Sequence, residues 1–309
     1  RDRNIAKEKF QIIGIQENEM EAIARPRVSY LKDAWRRLRQ NKVATVALFV
    51  LLLIVIMVII GPKLSGYAFE EVDKTARNLS PNGKHWFGTD KLGRDIFARV
   101  WISGRVSLTI GVVGALISAV LGCIYGGVAA YFGGKVDTFM MRIVEILISV
   151  PYLIVVIVLS LVLDSKGLFT LLLAMCITGW CGMARLVRAQ MLAIKSEEFI
   201  LAAQALGVKP WKIIMRHMIP NTLSNVIVAI TFDIPGYIFS EAFLSFIGLG
   251  IQPPNTSWGA LASAAQPQLQ FYPYQLFFPA FMIALTMLCF TLLGCLLYTS
   301  PSPRDRSLS

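Results

Sequence analysis

Charge is what this chain of 309 residues has least of. Asp, Glu, Lys and Arg make up 16% of it, against about 25% in soluble domains, which excludes an ordinary water-soluble fold. Histidine is scarce, His85 and His217 being the two present. The five cysteines, Cys123, Cys176, Cys181, Cys289 and Cys295, contain no CxxC pair. The chain therefore offers neither a metal cluster nor a disulfide framework. No GxxxxGK[ST] loop occurs, so the chain lacks the usual means of cradling and hydrolysing ATP. No nucleophile–base pair stands out, and neither an enzyme nor a cofactor is expected.

What the chain has instead is apolar length. It is 55% hydrophobic, with a mean hydropathy of +0.61. Crossing ~30 Å of hydrocarbon takes about 20 apolar residues, and six runs qualify: 43–60, 107–132, 142–163, 167–184, 222–250 and 274–298. The first holds 14 Leu, Ile, Val or Phe residues, worth roughly −4 to −8 kcal/mol of insertion free energy. It follows too long a polar leader to be a cleaved signal peptide. All five cysteines fall within the runs and read as small packing residues. The expectation is an all-α polytopic membrane protein with six transmembrane helices.

Lys and Arg set the orientation. With the N-terminus cytoplasmic, the inner segments carry 21 of them and the outer segments 9, as the positive-inside rule requires. Both termini are then inside, and the two histidines lie on opposite sides. The net charge of +11 reads as topology and contact with anionic lipid rather than nucleic-acid binding. The chain divides into a basic cytoplasmic segment (1–42), a first span (43–60), an extracytoplasmic segment (61–106), a five-helix core (107–298) and a tail (299–309). Trp35 with Arg36, Arg37, Arg39 and Lys42 fits either an amphipathic helix on the inner leaflet or a stop-transfer cluster.

Local chemistry refines this picture. Gly88-Thr89-Asp90 is turn chemistry, with Thr or Asp able to cap the following helix. Asp90, Arg94 and Asp95 can pair locally. Phe97 and Trp101 are spaced as an interfacial anchor. Gly122 and Gly126 allow close helix packing, and Gly133-Gly134 make an inner turn. Pro151 and Pro235-Gly236 can kink the spans that hold them. Gly248 and Gly250 end the fifth helix, Pro253-Pro254 prevent its continuation, and Trp258 falls at the expected membrane surface. Three acids lie within spans, where a charge costs about 2.5–3.5 kcal/mol. Glu145 has Arg142 as a structural partner. Asp233 and Glu241 share roughly one helix face, and either line a polar pathway or bond to neighbouring helices.

The most informative stretch is 197–221, EEFILAAQALGVKPWKIIMRHMIPN. It is a polar, helix-forming segment between two spans. The alanines Ala202 and Ala203 give a flat face for docking, and Gly207 supplies a left-handed cap. Pro210 opens a second helix, and Pro220, after Ile219, bars continuation into the next span. This order resembles the cytoplasmic coupling loop of ABC importer permeases. HWFGTDKLGRDIFARVWISGRVSL, AAQALGVKPWKIIMRHMIPN and EAFLSFIGLGIQPPNTSWG together resemble the C-type permease subunit of dipeptide/oligopeptide ABC importers, across residues 33–294.

The resemblance implies the transmembrane fold of a type I ABC importer in a bacterial or archaeal plasma (inner) membrane. Half of a translocation pore would be driven by ATP hydrolysed on partner subunits and coupled through 196–220. It implies a B-type permease, ATP-binding subunits and an extracytoplasmic peptide-binding protein as partners. Ala202, Ala203, Gly207, Ile219 and Pro220 match the coupling motif. Leu201 stands where the motif's first acid would be, leaving Glu197 or Glu198 to make that contact. After Gly294 the sequence departs from the family, and the tail reads as non-native. The alternatives are a nickel or other small-solute importer, for which no run of Met or His speaks, and a proton-coupled transporter using Asp233 or Glu241.

Overall fold

Polar residues at the edges of the apolar runs determine where helices begin, and not always where hydropathy suggests. The computed structural model describes Arg39 and residues 41–163, 167–253 and 255–298. Ten α-helices occur among these residues: α1 (Lys42–Leu64), α2 (Ile96–Phe132), α3 (Gly134–Ser149), α4 (Tyr152–Val162), α5 (Leu168–Ile194), α6 (Glu198–Ala205), α7 (Pro210–Ile213), α8 (Ile219–Phe246), α9 (Trp258–Ala265) and α10 (Tyr274–Tyr298). Five helices are long and apolar enough to cross a membrane, α7 and α8 counting as one, and the bent pair α3–α4 makes up to a sixth. The expected Trp35–Arg37 cluster, Pro254 and the 299–309 tail lie outside the described residues.

α1 begins at Asn41, whose side chain accepts a hydrogen bond from the Ala44 amide at 3.2 Å, a cap for an otherwise orphaned donor. Its buried residues Ala44, Ala47, Leu51, Ile54, Val58 and Gly61 recur every three or four positions and pack on α2 and α10. The remaining faces are apolar and exposed, as at Phe49, Leu53 and Ile60, which suits a helix bathed in lipid.

α2 starts eleven residues before the apolar run at 107. Its N-cap is Asp95, not Thr89 or Asp90. One Asp95 oxygen accepts from the Ala98 amide at 2.8 Å, and the other lies 2.9 Å from His85 Nδ1. Thr89 is occupied elsewhere, accepting from the Leu79 amide and donating to the Ala76 carbonyl. Asp90 does pair with Arg94, at 2.7 Å. Phe97 and Trp101 are not a lipid-facing anchor, for both are buried. Phe97 sits edge-on to Trp86 and Phe87, and Phe87 stacks on Phe278 of α10 at 3.9 Å. Aromatic spacing alone cannot separate an interface anchor from such a cluster.

The run 142–163 is not one straight span. α3 and α4 meet at an angle of 81°, with Pro151 as the N-cap of α4. A proline cannot donate the helical hydrogen bond, and its ring disfavours a helical residue before it. Pro235, by contrast, lies inside an unbroken α8. α5 runs ten residues past its expected end at 184 and packs along α2. A Cβ on Gly122 would stand 2.6 Å from the Met183 Cβ, and one on Gly126 would meet the Ala184 carbonyl and the Arg188 amide. The two glycines therefore set the distance between these helices.

α8 ends as expected at Gly248, whose φ is +82°. The Leu249 amide reaches back to the Leu244 carbonyl at 2.9 Å, a Schellman closure. Trp258 opens α9 and is fully buried (0% exposed), with Nε1 donating to the Val100 carbonyl at 2.8 Å. The five cysteines are free thiols. The ends of α1, α8 and α9 and the start of α2 thus gather at one end of the bundle, and α6–α7 lie at the other.

Candidate coupling surface and membrane-embedded carboxylates

At that second end, the chain leaves α5 and makes a compact helical hairpin. Lys195 Nζ donates to the Ala130 carbonyl at the foot of α2, at 3.0 Å. Ile200 and Ala203 of α6, Ile213 of α7, and Ile214 and Met218 beyond it are all buried. They share one apolar cluster with Met183, Val187 and Met191 of α5. Arg188 on α5 grips Asp137 on α3 with two bonds of 2.5 Å. The hairpin is therefore seated on the bundle rather than hung from it.

Between the helices, Gly207 adopts φ +70°. Its amide donates to the Gln204 carbonyl at 2.9 Å, and the Val208 amide to the Ala203 carbonyl at 3.1 Å. This is a Schellman cap, and it needs the left-handed conformation that glycine takes without steric cost. Pro210 opens α7 at its first turn, where its missing N–H costs nothing. Pro220 does not stop the helix. Residues Ile214–Met218 form a π-helical turn, in which the Ile219 amide bonds to the Ile214 carbonyl, five residues back. The wider turn accommodates the ring of Pro220 in the first turn of α8, so the helix passes from Pro210 to Phe246 without a stop.

The outward side of the hairpin exposes large apolar side chains among charged ones. Leu206 is 82% exposed, Trp211 54% and Leu201 50%, with Met215 beside them and the small residues Ala202, Ala205 and Gly207 also exposed. Glu197 and Glu198 are exposed at the start of α6, and Lys209, Lys212 and Arg216 are exposed on and near α7. The two motif alanines thus part company: Ala202 faces out, while Ala203 is packed inward. Ile219 is half-buried against the bundle, and Pro220 is exposed. Leu206, Trp211 and Met215 were not legible as site residues from the motif. The available signal was large apolar side chains in a segment that is not within a span.

The intramembrane acids differ in surroundings. Glu145 pairs with Arg142 at 2.9 Å. Glu241 is fully buried and accepts from the hydroxyls of Ser245 at 2.7 Å, Ser257 at 2.5 Å and Ser107 at 3.3 Å. Ser107 also accepts from the Trp258 amide, and Ser257 caps α9 through the Ala260 amide. Glu241 thereby joins α8, α9 and α2, as bonding between neighbouring helices requires. Asp233, two turns earlier on α8, is half-buried and has no such ring of donors.

A long bundle of apolar helices with a capped hairpin seated on one end defines a polytopic membrane protein. The chain matches the family of binding-protein-dependent transport system inner membrane components over residues 111–306, and the N-terminal TM domain of oligopeptide transport permease C over residues 29–81; it belongs to this permease family. It is 49% identical over 289 residues to the dipeptide transport system permease protein DppC of Bacillus subtilis (strain 168), covering 93% of this chain and 90% of that one. It is 43% identical over 304 residues to the oligopeptide transport system permease protein OppC of the same organism, covering 98% and 99%. Among solved structures, inward-facing MetNI methionine ABC transporters superpose with TM-scores of 0.54 and 0.52. Identities are 17% and 19%, with 66% of this chain covered in both cases and 97% and 95% of theirs, a likeness of fold.

Proposed function

We propose that this chain is the C-type permease subunit of an ATP-driven importer of di- and oligopeptides, in a bacterial or archaeal plasma (inner) membrane with both termini cytoplasmic. It forms half of the pore, beside a B-type permease. ATP-binding subunits act on residues 196–220, and an extracytoplasmic protein delivers the peptide. The observation that carries the coupling reading is the exposed Leu201–Leu206–Trp211 face on a hairpin held rigid by the Gly207 cap. Exposed apolar patches of this kind mark protein contacts. In this reading Ala202, Gly207 and the two glutamates Glu197 and Glu198 meet the ATPase, while Ala203 and Ile219 anchor the hairpin, and Pro220 begins the helix that carries its movement. ATP-driven closure of the partner dimer pushes the hairpin, and α8 and the helices packed on it move with it.

Relatives named for dipeptide and oligopeptide transport support peptides as the cargo over nickel. The proton-coupled alternative loses one of its two acids, because Glu241 is enclosed by three serines. The test is to tag this chain in its own host, extract it gently and identify what copurifies. A stoichiometric P-loop ATPase and a second permease are expected. The chain alone, active in proteoliposomes under a proton gradient, would overturn the reading.

A further inference from the structure

Among the described residues, Asp233 is a carboxylate within a span without a hydrogen-bond or ion-pair partner. Asp137 has Arg188, Glu145 has Arg142, and Glu241 has three serines. Asp233 lies midway along α8, about 20 Å from either end at 1.5 Å per residue. An ion at that depth is costly unless it faces water or an opposite charge.

Its neighbours along the helix are consistent with a wet lane. Asn225, Ala229, Gly236 and Ser240 fall with Asp233 at spacings of three or four residues, hence on one face. All are exposed or half-buried. A Cβ on Gly236 would meet nothing within 4 Å. The facing stretch of α5 exposes Gly179, Gly182, Arg185 and Ala189, and a Cβ on Gly182 would likewise meet nothing within 4 Å. Gln190 of α5 and Asn225 of α8 bond across the groove at 2.7 Å. Phe232, Phe239 and Phe243, each three or four residues from Ala229, Gly236 or Ser240, are exposed and flank this lane along one edge. The nearby Tyr237 hydroxyl bonds to Ser118.

We infer that Asp233 is a cation subsite in the translocation path, taking the α-ammonium of the passing peptide. The assignment rests on the importer reading above. Every unmodified peptide carries that ammonium whatever its side chains, so one carboxylate in a lane of small residues gives a contact blind to sequence. The small residues leave room for cargo of varied shape, where a lane built to seat a partner's lysine or arginine would close around it.

The test uses the complete transporter, with its partner permease, ATPase and binding protein, in proteoliposomes. Uptake of a labelled tripeptide is compared for the wild type, Asp233→Asn and Asp233→Glu. Asp233→Asn is expected to slow uptake about tenfold, the scale of one ionic contact, with Asp233→Glu restoring most of the rate. Wild-type uptake by Asp233→Asn overturns the subsite while leaving the importer intact. Loss of the second permease from purified Asp233→Asn complex also overturns it, because Asp233 then pairs with a cation of that subunit. Absence of peptide uptake by the wild-type complex is a different result, the failure of the importer reading itself.

Discussion

Gly207 gives the sharpest test of the proposed coupling role of the hairpin. Its φ of +70° is open to glycine at no cost, while a side chain there costs about 1–2 kcal/mol. That is enough to shift the balance between capped and uncapped hairpin by roughly 5- to 30-fold. The two cap bonds from Gly207 and Val208 are what the shift endangers. A Cβ at this position would meet nothing of this chain within 4 Å, so crowding within the subunit contributes nothing. Three substitutions therefore separate backbone from contact. Gly207→Asn, which tolerates the left-handed region, should keep most transport. Gly207→Ala should slow it several-fold through the backbone alone. Gly207→Leu should abolish it, its excess over Ala measuring the close approach of a partner. Uptake and ATP hydrolysis are measured in the same proteoliposomes, with membrane insertion checked separately. Wild-type uptake in all three would refute the coupling role of the hairpin.

Glu241→Ala should lower stability in detergent by about 2–4 kcal/mol, since three buried serine hydroxyls lose their acceptor and a void remains; an unchanged melting temperature would rule out the helix-joining role. Gly126→Leu should prevent α2 and α5 from meeting and abolish accumulation of folded protein, whereas the same change at the open Gly182 should leave folding intact. A double-mutant cycle on Arg188→Ala and Asp137→Ala should return a coupling of about 1 kcal/mol, read from thermal unfolding, and a value near zero would mean that the pair does not bind α5 to α3.

The sequence disclosed most where a single physical requirement dominated. Long apolar runs located the spans because only helices satisfy their backbone in lipid, and the Gly207 and Gly248 caps followed from the one residue that turns left without cost. It disclosed less where the outcome depended on distant neighbours. Asp95 caps α2 because His85 holds it in place, ten residues away. Phe97, Trp101 and Trp258 look like interface aromatics until the segment between α1 and α2 and the loop after α8 are folded over them. The outward face of the hairpin was hidden for a related reason. Ala202 and Ala203 are adjacent in the motif, yet successive helical residues point about 100° apart, and only packing decides which one meets a partner.

The π-helical turn at Ile214–Met218 has a mechanical consequence. Because Pro220 does not interrupt the chain, residues Pro210–Phe246 form one 37-residue rod, about 55 Å long at 1.5 Å per residue. A rod of that length pivoting near its middle acts as a lever with nearly equal arms. A tilt of about 10° imposed at Trp211 would carry the opposite end, at Phe246, about 5 Å the other way, given the same rise per residue. Closing one mouth of a pore and opening the other would then be a single movement.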